Sequence, residues 1–343
     1  MQWTLFLVVA ASVGARTILR FSCSQLVVER LDPLVNPGMI PSPHLHQIVG
    51  GNGFNATMDP NRADLADVVT CTSCTPAEDF SNYWTAVLFF RARNGTYKRL
   101  HTKGNPLGYA DATGGQTVYY LGPSASNSVS RATAFRPGFR MTIGNPAYNK
   151  ASQLARYRQL MYTCLQAGTT RGADTFDFPT KFCKAGIMVT VRFPTCWDGK
   201  NLDSPDHQSH VAYPVNGTTE SGAPCPASHP VVIPQVFYET LWDTAPFNDK
   251  ELWPEDEKKQ PFVWSFGDQT GYGNHGDYVF GWKGDALQRA MDADCNSDLY
   301  GNYLNCPTLK SQSIIKSNRC VKEVTAREEL DGWLKSLPGG LTP

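Results

Sequence analysis

Prolines and glycines interrupt this chain throughout, and they limit what it can fold into. The 343 residues include 24 prolines and 29 glycines, which are spread along the sequence rather than clustered. Proline breaks a helix interior and glycine weakens it, so helices longer than about two or three turns have little room. The sequence therefore favours short strands and turns over a helical bundle.

Four stretches between these breakers are rich in β-branched and aromatic residues, which is typical of strands. They cover residues 83–90, 117–121, 186–193 and 231–238. The sequence Arg93-Asn94-Gly95-Thr96 predicts a hairpin turn of type I′, since Asn-Gly tolerates positive φ. Helical patterns are confined to residues 149–164, 285–292 and 325–336. We predict a mostly β fold over residues 16–343, a single-domain, jelly-roll-like β-sandwich with a few short helices and long disulfide-tied loops.

The N-terminus and the cysteines indicate an exported, cross-linked protein. Residues 1–15 contain an apolar run from Leu5 to Ala11 followed by small residues, which predicts a signal peptide cleaved near Ala15. The chain has ten cysteines. In an exported protein, an even number of cysteines is expected to pair as disulfides.

Cys71 and Cys74 have the spacing of a redox or zinc pair. The sequence has no second pair of this spacing and no βαβ pattern around it. Both cysteines are therefore predicted to be structural, either bridging each other or belonging to different bridges. Sequons at Asn55, Asn94 and Asn216 predict glycosylation in the same compartment.

The charged side chains balance, with 31 lysines and arginines against 31 aspartates and glutamates. A neutral chain has no long-range field to draw nucleic acid or an anionic membrane, so we expect neither as a partner. Beyond the N-terminal segment, no apolar stretch is long enough to span a bilayer or has the form of a lipid-anchor signal. These features predict a secreted protein of the extracellular space or cell wall.

Histidine is rare, and most of it lies in short polar segments flanked by glycine or proline. Only seven histidines occur. His44 and His46 are two residues apart, so in a strand their side chains face the same side. His275 precedes Gly276, and a carboxylate follows at Asp277. These spacings indicate side chains gathered for chemistry.

His207 and His210 lie in a turn-rich loop together with two aspartates. The alternative for each of these histidines is a loop residue that makes only structural hydrogen bonds. We interpret His101 and His229 in that way, because each stands alone. For the paired histidines we favour a functional role.

Imidazole can transfer protons near neutral pH or bind a metal through either nitrogen. Three histidines with an open fourth position form a catalytic zinc site, and imidazole also binds copper. A histidine beside a carboxylate equally serves general acid–base catalysis on a sugar. The predicted catalytic set is His44, His46, His207, His210, His275 and Asp277. The predicted ligands of a zinc or copper ion within it are His46, His210 and His275.

Sugar rings pack on aromatic faces, so aromatic residues in or near the histidine segments are candidates for substrate binding. The predicted substrate-binding set is Arg30, Trp84, Tyr213 and Tyr272. Arg30 would pair with an acidic sugar or else form a structural salt bridge. The aromatic residues are alternatively part of the core.

Six segments follow one another in a characteristic order. They are Glu29-Arg30-Leu31-Asp32-Pro33 through Gly38, Ser42-Pro43-His44-Leu45-His46 with Gly50-Gly51-Asn52, Cys71-Thr72-Ser73-Cys74 through Thr85, Asp206-His207-Gln208-Ser209-His210 through Pro214, Cys225-Pro226-Ala227-Ser228-His229-Pro230, and Gly271-Tyr272-Gly273-Asn274-His275-Gly276-Asp277. Together they resemble the secreted fungal DUF1996 family, a domain of unknown function sometimes joined to wall-binding WSC modules. The resemblance runs from Asp32 to Asp292. It implies an extracellular or cell-wall setting and marks the histidine segments as family hallmarks, but it implies no reaction.

Two classes of function fit these residues. The first is a polysaccharide lyase or glycoside hydrolase that uses the histidine-rich site, with or without a metal. The second is a non-catalytic protein that binds cell-wall glycan, with histidines that are structural or hold a stabilising metal. An effector that binds a host protein would leave no trace in the sequence. The structural test is whether His44, His46, His207, His210 and His275 converge.

Overall fold

The computed structural model describes residues 17–59, 64–123, 131–156, 160–168, 170–215, 223–256, 258–293, 295 and 306–343. The predicted signal peptide and Asn216 lie outside these ranges. Two large antiparallel sheets dominate the described chain. The six-stranded sheet has the order β1 (Ile18–Cys23), β7 (Gln116–Leu121), β15 (Gln235–Trp242), β11 (Gly186–Arg192), β9 (Leu160–Leu165) and β10 (Asp174–Thr175). The five-stranded sheet has the order β2 (Gln25–Glu29), β3 (His46–Gly50), β4 (Asn82–Ala86), β17 (His275–Val279) and β8 (Arg140–Gly144).

Smaller elements complete the described chain. Two three-stranded sheets have the orders β16 (Phe262–Trp264), β5 (Leu88–Arg91), β6 (Tyr97–Arg99) and β13 (Val211–Ala212), β12 (Cys196–Trp197), β14 (Val231–Val232). The α-helices are α1 (Leu65–Val68), α2 (Ala286–Asp292) and α3 (Ile314–Asn318). Short 3-10 helices cover Ala151–Arg156, Ala245–Phe247 and Lys250–Leu252. None of the helices in the described ranges is long and apolar enough to cross a membrane.

The two large sheets pack face to face, and the main core lies between them. Phe21 and Tyr120 reach inward from the six-stranded sheet, and Tyr83 and Tyr278 meet them from the five-stranded sheet. The Tyr120 hydroxyl lies 2.7 Å from that of Tyr83 and 2.9 Å from that of Tyr278. This arrangement is a β-sandwich, so the predicted mostly β fold class is confirmed.

The predicted strands are all present, but two of them are broken. Residues 83–90 form β4 and β5 with a break at Val87, whose amide donates to the Leu45 carbonyl outside the ladder. Residues 231–238 divide between β14 and β15 around Pro234. Proline lacks the amide hydrogen that a ladder needs, which explains this break.

One of the three predicted helices is confirmed and two are wrong. Helix α2 begins after Asp285, as predicted. Residues 149–164 instead end in β9, because Leu160 to Leu165 pair with β11 in the six-stranded sheet. Residues 325–336 form no helix, and within them the Leu334 backbone pairs with that of Tyr97 in a single bridge. At β9, pairing within the sheet overrides the local helical pattern.

The predicted hairpin turn joins β5 and β6, but it is not of type I′. Gly95 has φ +86°, whereas Asn94 is not in the positive-φ region. A type I′ turn requires positive φ at both central residues. The Asn94 side chain instead accepts hydrogen bonds from the backbone amide and hydroxyl of Thr96.

All ten cysteines form disulfides. The pairs are Cys23–Cys74, Cys71–Cys320, Cys164–Cys183, Cys196–Cys225 and Cys295–Cys306. Cys71 and Cys74 therefore belong to different bridges, which confirms their structural role. Cys74 ties β1 to the loop before β4, and Cys71 ties that loop to the C-terminal segment.

The hydrogen-bonded tyrosine hydroxyls of the core end at the buried carboxyl group of Asp79. The Tyr83 hydroxyl donates to Asp79, whose other oxygen accepts from the amide of Ser81. Burial raises the pKa of Asp79 to about 7, against the hydrogen bonds that favour its charged form. The folded protein therefore holds this proton at pH values at which the unfolded chain has lost it.

Asp79→Asn is expected to remove a pH dependence of stability. In the wild type, the free energy of unfolding should fall as pH rises from about 4 to about 7, by up to about 4 kcal/mol from this group. The variant cannot lose the proton, so urea unfolding across this range should show a flatter profile. Asp67→Asn, at an exposed position on α1, is the control and should keep the wild-type slope. An unchanged slope in Asp79→Asn would contradict the assignment.

Candidate metal centre

Two predicted site residues project from the outer face of the five-stranded sheet. A Cβ on Gly276 would lie 1.9 Å from the Tyr238 hydroxyl oxygen, so Gly276 faces the sandwich core. Side chains alternate along a strand, and His275 and Asp277 therefore face outward. Both are buried, because the loop between β2 and β3 covers this face.

His46 and His275 lie on strands two apart, with Ala86 of β4 between them. His46 pairs with Ala86, and the register of β4 with β17 sets His275 beside the same residue. On its other side His275 pairs with Gly144. A Cβ on Gly144 would lie 2.9 Å from the Cβ of His275. The small side chain of Ala86 leaves the space in which the two imidazoles approach each other, and Gly144 leaves room beside His275 on its other side.

His44 completes a group of three imidazoles. It lies just before β3, two residues from His46. Its ring centroid is 5.8 Å from that of His46 and 5.4 Å from that of His275, and the latter two are 6.0 Å apart. One ligand nitrogen from each ring lies within 4.8 Å of the others. Donors around a tetrahedral zinc with 2.1 Å bonds are about 3.4 Å apart, so small side-chain movements would close the site.

Backbone carbonyls fix the orientation of two rings. Nδ1 of His46 lies 2.9 Å from the Leu31 carbonyl oxygen, and Nδ1 of His275 lies 3.0 Å from that of Gly273. Each Nδ1 therefore carries the hydrogen, and each Nε2 carries the lone pair. Nε2 of His46 is buried and has no hydrogen-bond partner among the described residues. A metal-binding histidine usually donates the N–H of one ring nitrogen to a carbonyl or carboxylate and binds the metal through the lone pair of the other nitrogen.

The environment keeps these imidazoles neutral. Burial, followed by the neighbouring His275, lowers the pKa of His44 to about 2 and that of His46 to about 3. Burial also lowers the pKa of His275. A neutral imidazole is the form that binds a metal, so the lone pairs are available at neutral pH.

Two buried carboxyl groups lie beside the three histidines. Burial, followed by the nearby Asp32, raises the pKa of Asp277 well above its ordinary value. One Asp277 oxygen, Oδ2, has no partner within the described part of the chain. Asp32 accepts backbone amide hydrogens from Leu34 and Val35, but burial still raises its pKa. An unpaired buried oxygen next to three unprotonated imidazoles is typical of a place that water or a cation fills.

The three histidines differ in their access to solvent. His46 is 0% exposed and His275 is 7% exposed, whereas His44 is partly exposed. The Phe266 ring packs on His44 and His275, with centroid distances of 4.9 Å and 5.1 Å. Solvent therefore reaches the group from the His44 side.

His210 was also predicted as a metal ligand, but it lies outside this group. Its Nε2 lies 2.8 Å from the Arg140 carbonyl oxygen and its Nδ1 lies 2.9 Å from the Ser204 hydroxyl. Both nitrogens are thus used within the protein. Arg140 and Gly144 are at opposite ends of β8, about 13 Å apart, and His275 pairs with Gly144.

His207 lies at the edge of the candidate centre rather than in it. Its Nδ1 is 2.7 Å from an oxygen of Asp203, and this hydrogen bond raises its pKa. The backbone of Leu34 also raises the pKa of His207, and His207 acts electrostatically on Asp32. His207 therefore links the loop at residues 203–210 to the loop that carries Asp32.

Three of the four predicted substrate-binding residues are paired or enclosed within the fold. Arg30 forms an ion pair of 2.6 Å with Glu328, which is the structural alternative for this residue. Trp84 is completely buried, so no ligand in solvent can reach its ring. The Tyr213 hydroxyl donates to the Arg192 carbonyl on the other large sheet. Tyr272 is partly exposed and lies in the loop that leads to β17.

Sequence reasoning missed three residues that shape the centre. The Phe266 ring contacts those of His44 and His275, and Asp32 interacts electrostatically with His275. Ala86 provides the space between His46 and His275. Asp32 lies in the Glu-Arg-Leu-Asp-Pro segment. The mixture of charges beside a proline in that segment was the one sequence feature that could have identified Asp32 as part of the centre. Nothing in the local sequence distinguishes Ala86 or Phe266 from other apolar residues.

The comparisons with known proteins place the chain in a family without assigning it a function. No curated protein and no solved structure matches it. The family described as a domain of unknown function, DUF1996, matches residues 32–282. The matched range contains all three histidines of the candidate centre and covers most of the chain. The chain therefore belongs to the DUF1996 family.

Proposed function

We propose that this protein is a secreted metalloprotein in which His44, His46 and His275 bind a zinc or copper ion. We propose further that it cleaves an extracellular or cell-wall polysaccharide as a hydrolase or lyase. The observation that supports the metal is the approach of three imidazole nitrogens to within 4.8 Å of one another. Three histidine ligands leave a fourth position open, as in catalytic zinc sites.

Each group near the centre has a chemical task in this proposal. A bound ion would act as a Lewis acid and lower the pKa of water. Asp32 and Asp277 supply buried carboxyl groups near the histidines, where they can hold or release a proton. The partly exposed edge at His44 is the side from which a polysaccharide would approach. Phe266 shields the rings from bulk water.

Cross-linking and exposed sequons support secretion. Five disulfides form in the described chain, and disulfides persist in oxidising, extracellular compartments. The asparagines of two sequons, Asn55 and Asn94, are exposed and would accept glycans without rearrangement.

Burial of the histidines favours a second candidate function. His46 is 0% exposed and His275 is 7% exposed, so a substrate has little access to an ion bound between them. In this candidate, the ion only stabilises the loop between β2 and β3. The protein would then bind wall glycan without cleaving it. A chelator would lower thermal stability, and a glycan array would show binding without products.

Product analysis on fungal and plant wall polysaccharides tests the catalytic proposal. Metal-loaded wild type should release oligosaccharides, and a lyase would also give unsaturated ends that absorb ultraviolet light. Asp277→Asn should lower the rate by about 10- to 100-fold at unchanged metal content, as is usual for groups next to a metal site. Asp111→Asn, at an exposed position, is the control and should be fully active. No product from any polysaccharide would favour the non-catalytic candidate, and full activity in Asp277→Asn would show that Asp277 takes no part in the reaction.

A further inference from the structure

The loop between β16 and β17 leads from the candidate metal centre to the protein surface. At the centre, the Phe266 ring packs on those of His44 and His275. A Cβ on Gly273 would lie 2.8 Å from a carbon of the Phe266 ring. Tyr272 directly precedes Gly273 and is partly exposed. The loop therefore places a solvent-accessible tyrosine next to the residues that enclose the three imidazoles.

A second loop packs against the first and adds an exposed phenylalanine. The Phe178 amide donates to the Thr270 carbonyl at 3.2 Å, and a Cβ on Gly271 would lie 3.0 Å from the same amide nitrogen. Two residues earlier, Phe176 is 47% exposed, and its ring stacks on no other aromatic ring in the described ranges. The two loops thus present Phe176 and Tyr272 on adjoining parts of the surface.

This part of the surface is negatively charged. Asp177 follows Phe176 and is exposed, and its carboxylate has no hydrogen-bond or ion-pair partner within the described part of the chain. Burial, followed by the charges of Asp177 and Asp268, raises the pKa of Tyr272. Electrostatic interactions at a surface are screened over about 10 Å, so both carboxylates lie close to this tyrosine. Its hydroxyl has no hydrogen-bond partner among the described residues.

Asp268 fixes the conformation of the first loop. Its Oδ1 accepts the amide hydrogen of Thr270 at 2.7 Å, and its Oδ2 accepts those of Gly271 and Gly273 at 3.0 and 2.9 Å. The Tyr162 hydroxyl also donates to the Gly271 carbonyl at 2.6 Å. A surface that is already ordered loses less conformational entropy when it binds a ligand.

We infer that the aromatic platform formed by Phe176, Asp177 and Tyr272 binds a glycan that carries free amino groups. This inference rests on the proposed function, because it names an amino-sugar polysaccharide as the substrate class of the site at the three histidines. Sugar rings pack their C–H faces on aromatic rings, and the open carboxylate of Asp177 can accept hydrogen bonds from an ammonium group. The Tyr272 hydroxyl is available to a sugar hydroxyl. Repulsion between like charges disfavours an acidic polysaccharide at the same place.

Titration calorimetry of the purified protein with two matched tetrasaccharides tests this inference. One consists of glucosamine, whose amino groups are charged at about pH 5, and the other consists of neutral N-acetylglucosamine. The charged tetrasaccharide should bind about fivefold more tightly, and added salt should reduce this preference. Asp177→Asn should abolish the preference, whereas Phe176→Ala should weaken binding of both tetrasaccharides by about three- to tenfold. Asp111→Asn and Trp333→Ala, at exposed positions of other segments, are the controls and should bind as the wild type does.

The inference would be overturned if neither tetrasaccharide binds, if both bind equally well, or if Asp177→Asn keeps the preference. His46→Ala should retain the preference, since the platform contains none of the three histidines. Binding with this preference but without cleavage products would therefore support the platform and contradict the catalytic proposal. Cleavage products without any preference would do the reverse.

Discussion

His46→Ala is expected to lose the bound metal and, with it, the stabilisation that the metal provides. The variant removes the Nε2 that is buried without a partner in the described structure, and two imidazoles alone bind a single ion much more weakly than three. A ligand present at 1,000 times its dissociation constant stabilises the folded state by about 4 kcal/mol. Metal analysis should give one ion per wild-type chain and far less in the variant.

Thermal unfolding with and without a chelator gives a second readout of the same change. The chelator should lower the melting temperature of the wild type and leave that of His46→Ala unchanged. His101→Ala removes an exposed imidazole away from the centre and should behave as the wild type in both assays. One ion per chain in purified His46→Ala would show that His46 is not a ligand.

Removal of the Cys71–Cys320 disulfide is expected to cause a larger loss of stability than removal of Cys295–Cys306. The first closes a separation of 249 residues and the second a separation of 11. In the chain-entropy treatment, these separations correspond to about 5 and about 3 kcal/mol. The corresponding double alanine variants have matched chemistry, and urea unfolding compares them directly.

The Cys71–Cys320 disulfide also fixes the position of the C-terminal segment. Beyond Cys320, Lys322 pairs with the buried Glu29 of β2 at 2.6 Å, and Glu29 accepts the amide hydrogens of Thr325 and Ala326. Without the disulfide, these amides should exchange hydrogen faster than they do in the wild type, whereas exchange in the sandwich core should stay the same. Equal stability losses in the two double variants, with unchanged exchange at these amides, would contradict this role.

The sequence predicts the sandwich because several of its strands are rich in β-branched and aromatic residues. The β-branched and aromatic runs at β7 and β11 were sufficient for this prediction. The run at β9 was misread as helix, because its place in the sheet depends on pairing with β11. Local patterns carry no information about such partners.

The candidate metal centre was predictable only in part for the same reason. His44 and His46 share a face because of their spacing, which the sequence shows directly. His275 joins them through the register of β3, β4 and β17, and no sequence pattern specifies that register. His210 resembled the other histidines in its polar, turn-rich surroundings, yet backbone and hydroxyl groups occupy both of its nitrogens.

The aromatic residues predicted to bind sugar show a different limit. Trp84 lies among apolar residues on the outer side of the five-stranded sheet and packs against Phe54. Burial of large aromatic surface stabilises a fold strongly, so most such residues end in a core.

X-ray absorption at the metal edge of the purified protein tests the central claim most directly. The proposal predicts one zinc or copper ion per chain with three imidazole nitrogens at about 2.0–2.1 Å, and it predicts that this signature disappears in His46→Ala. A protein that binds no ion, or an ion surrounded by oxygen ligands without imidazole, would contradict it.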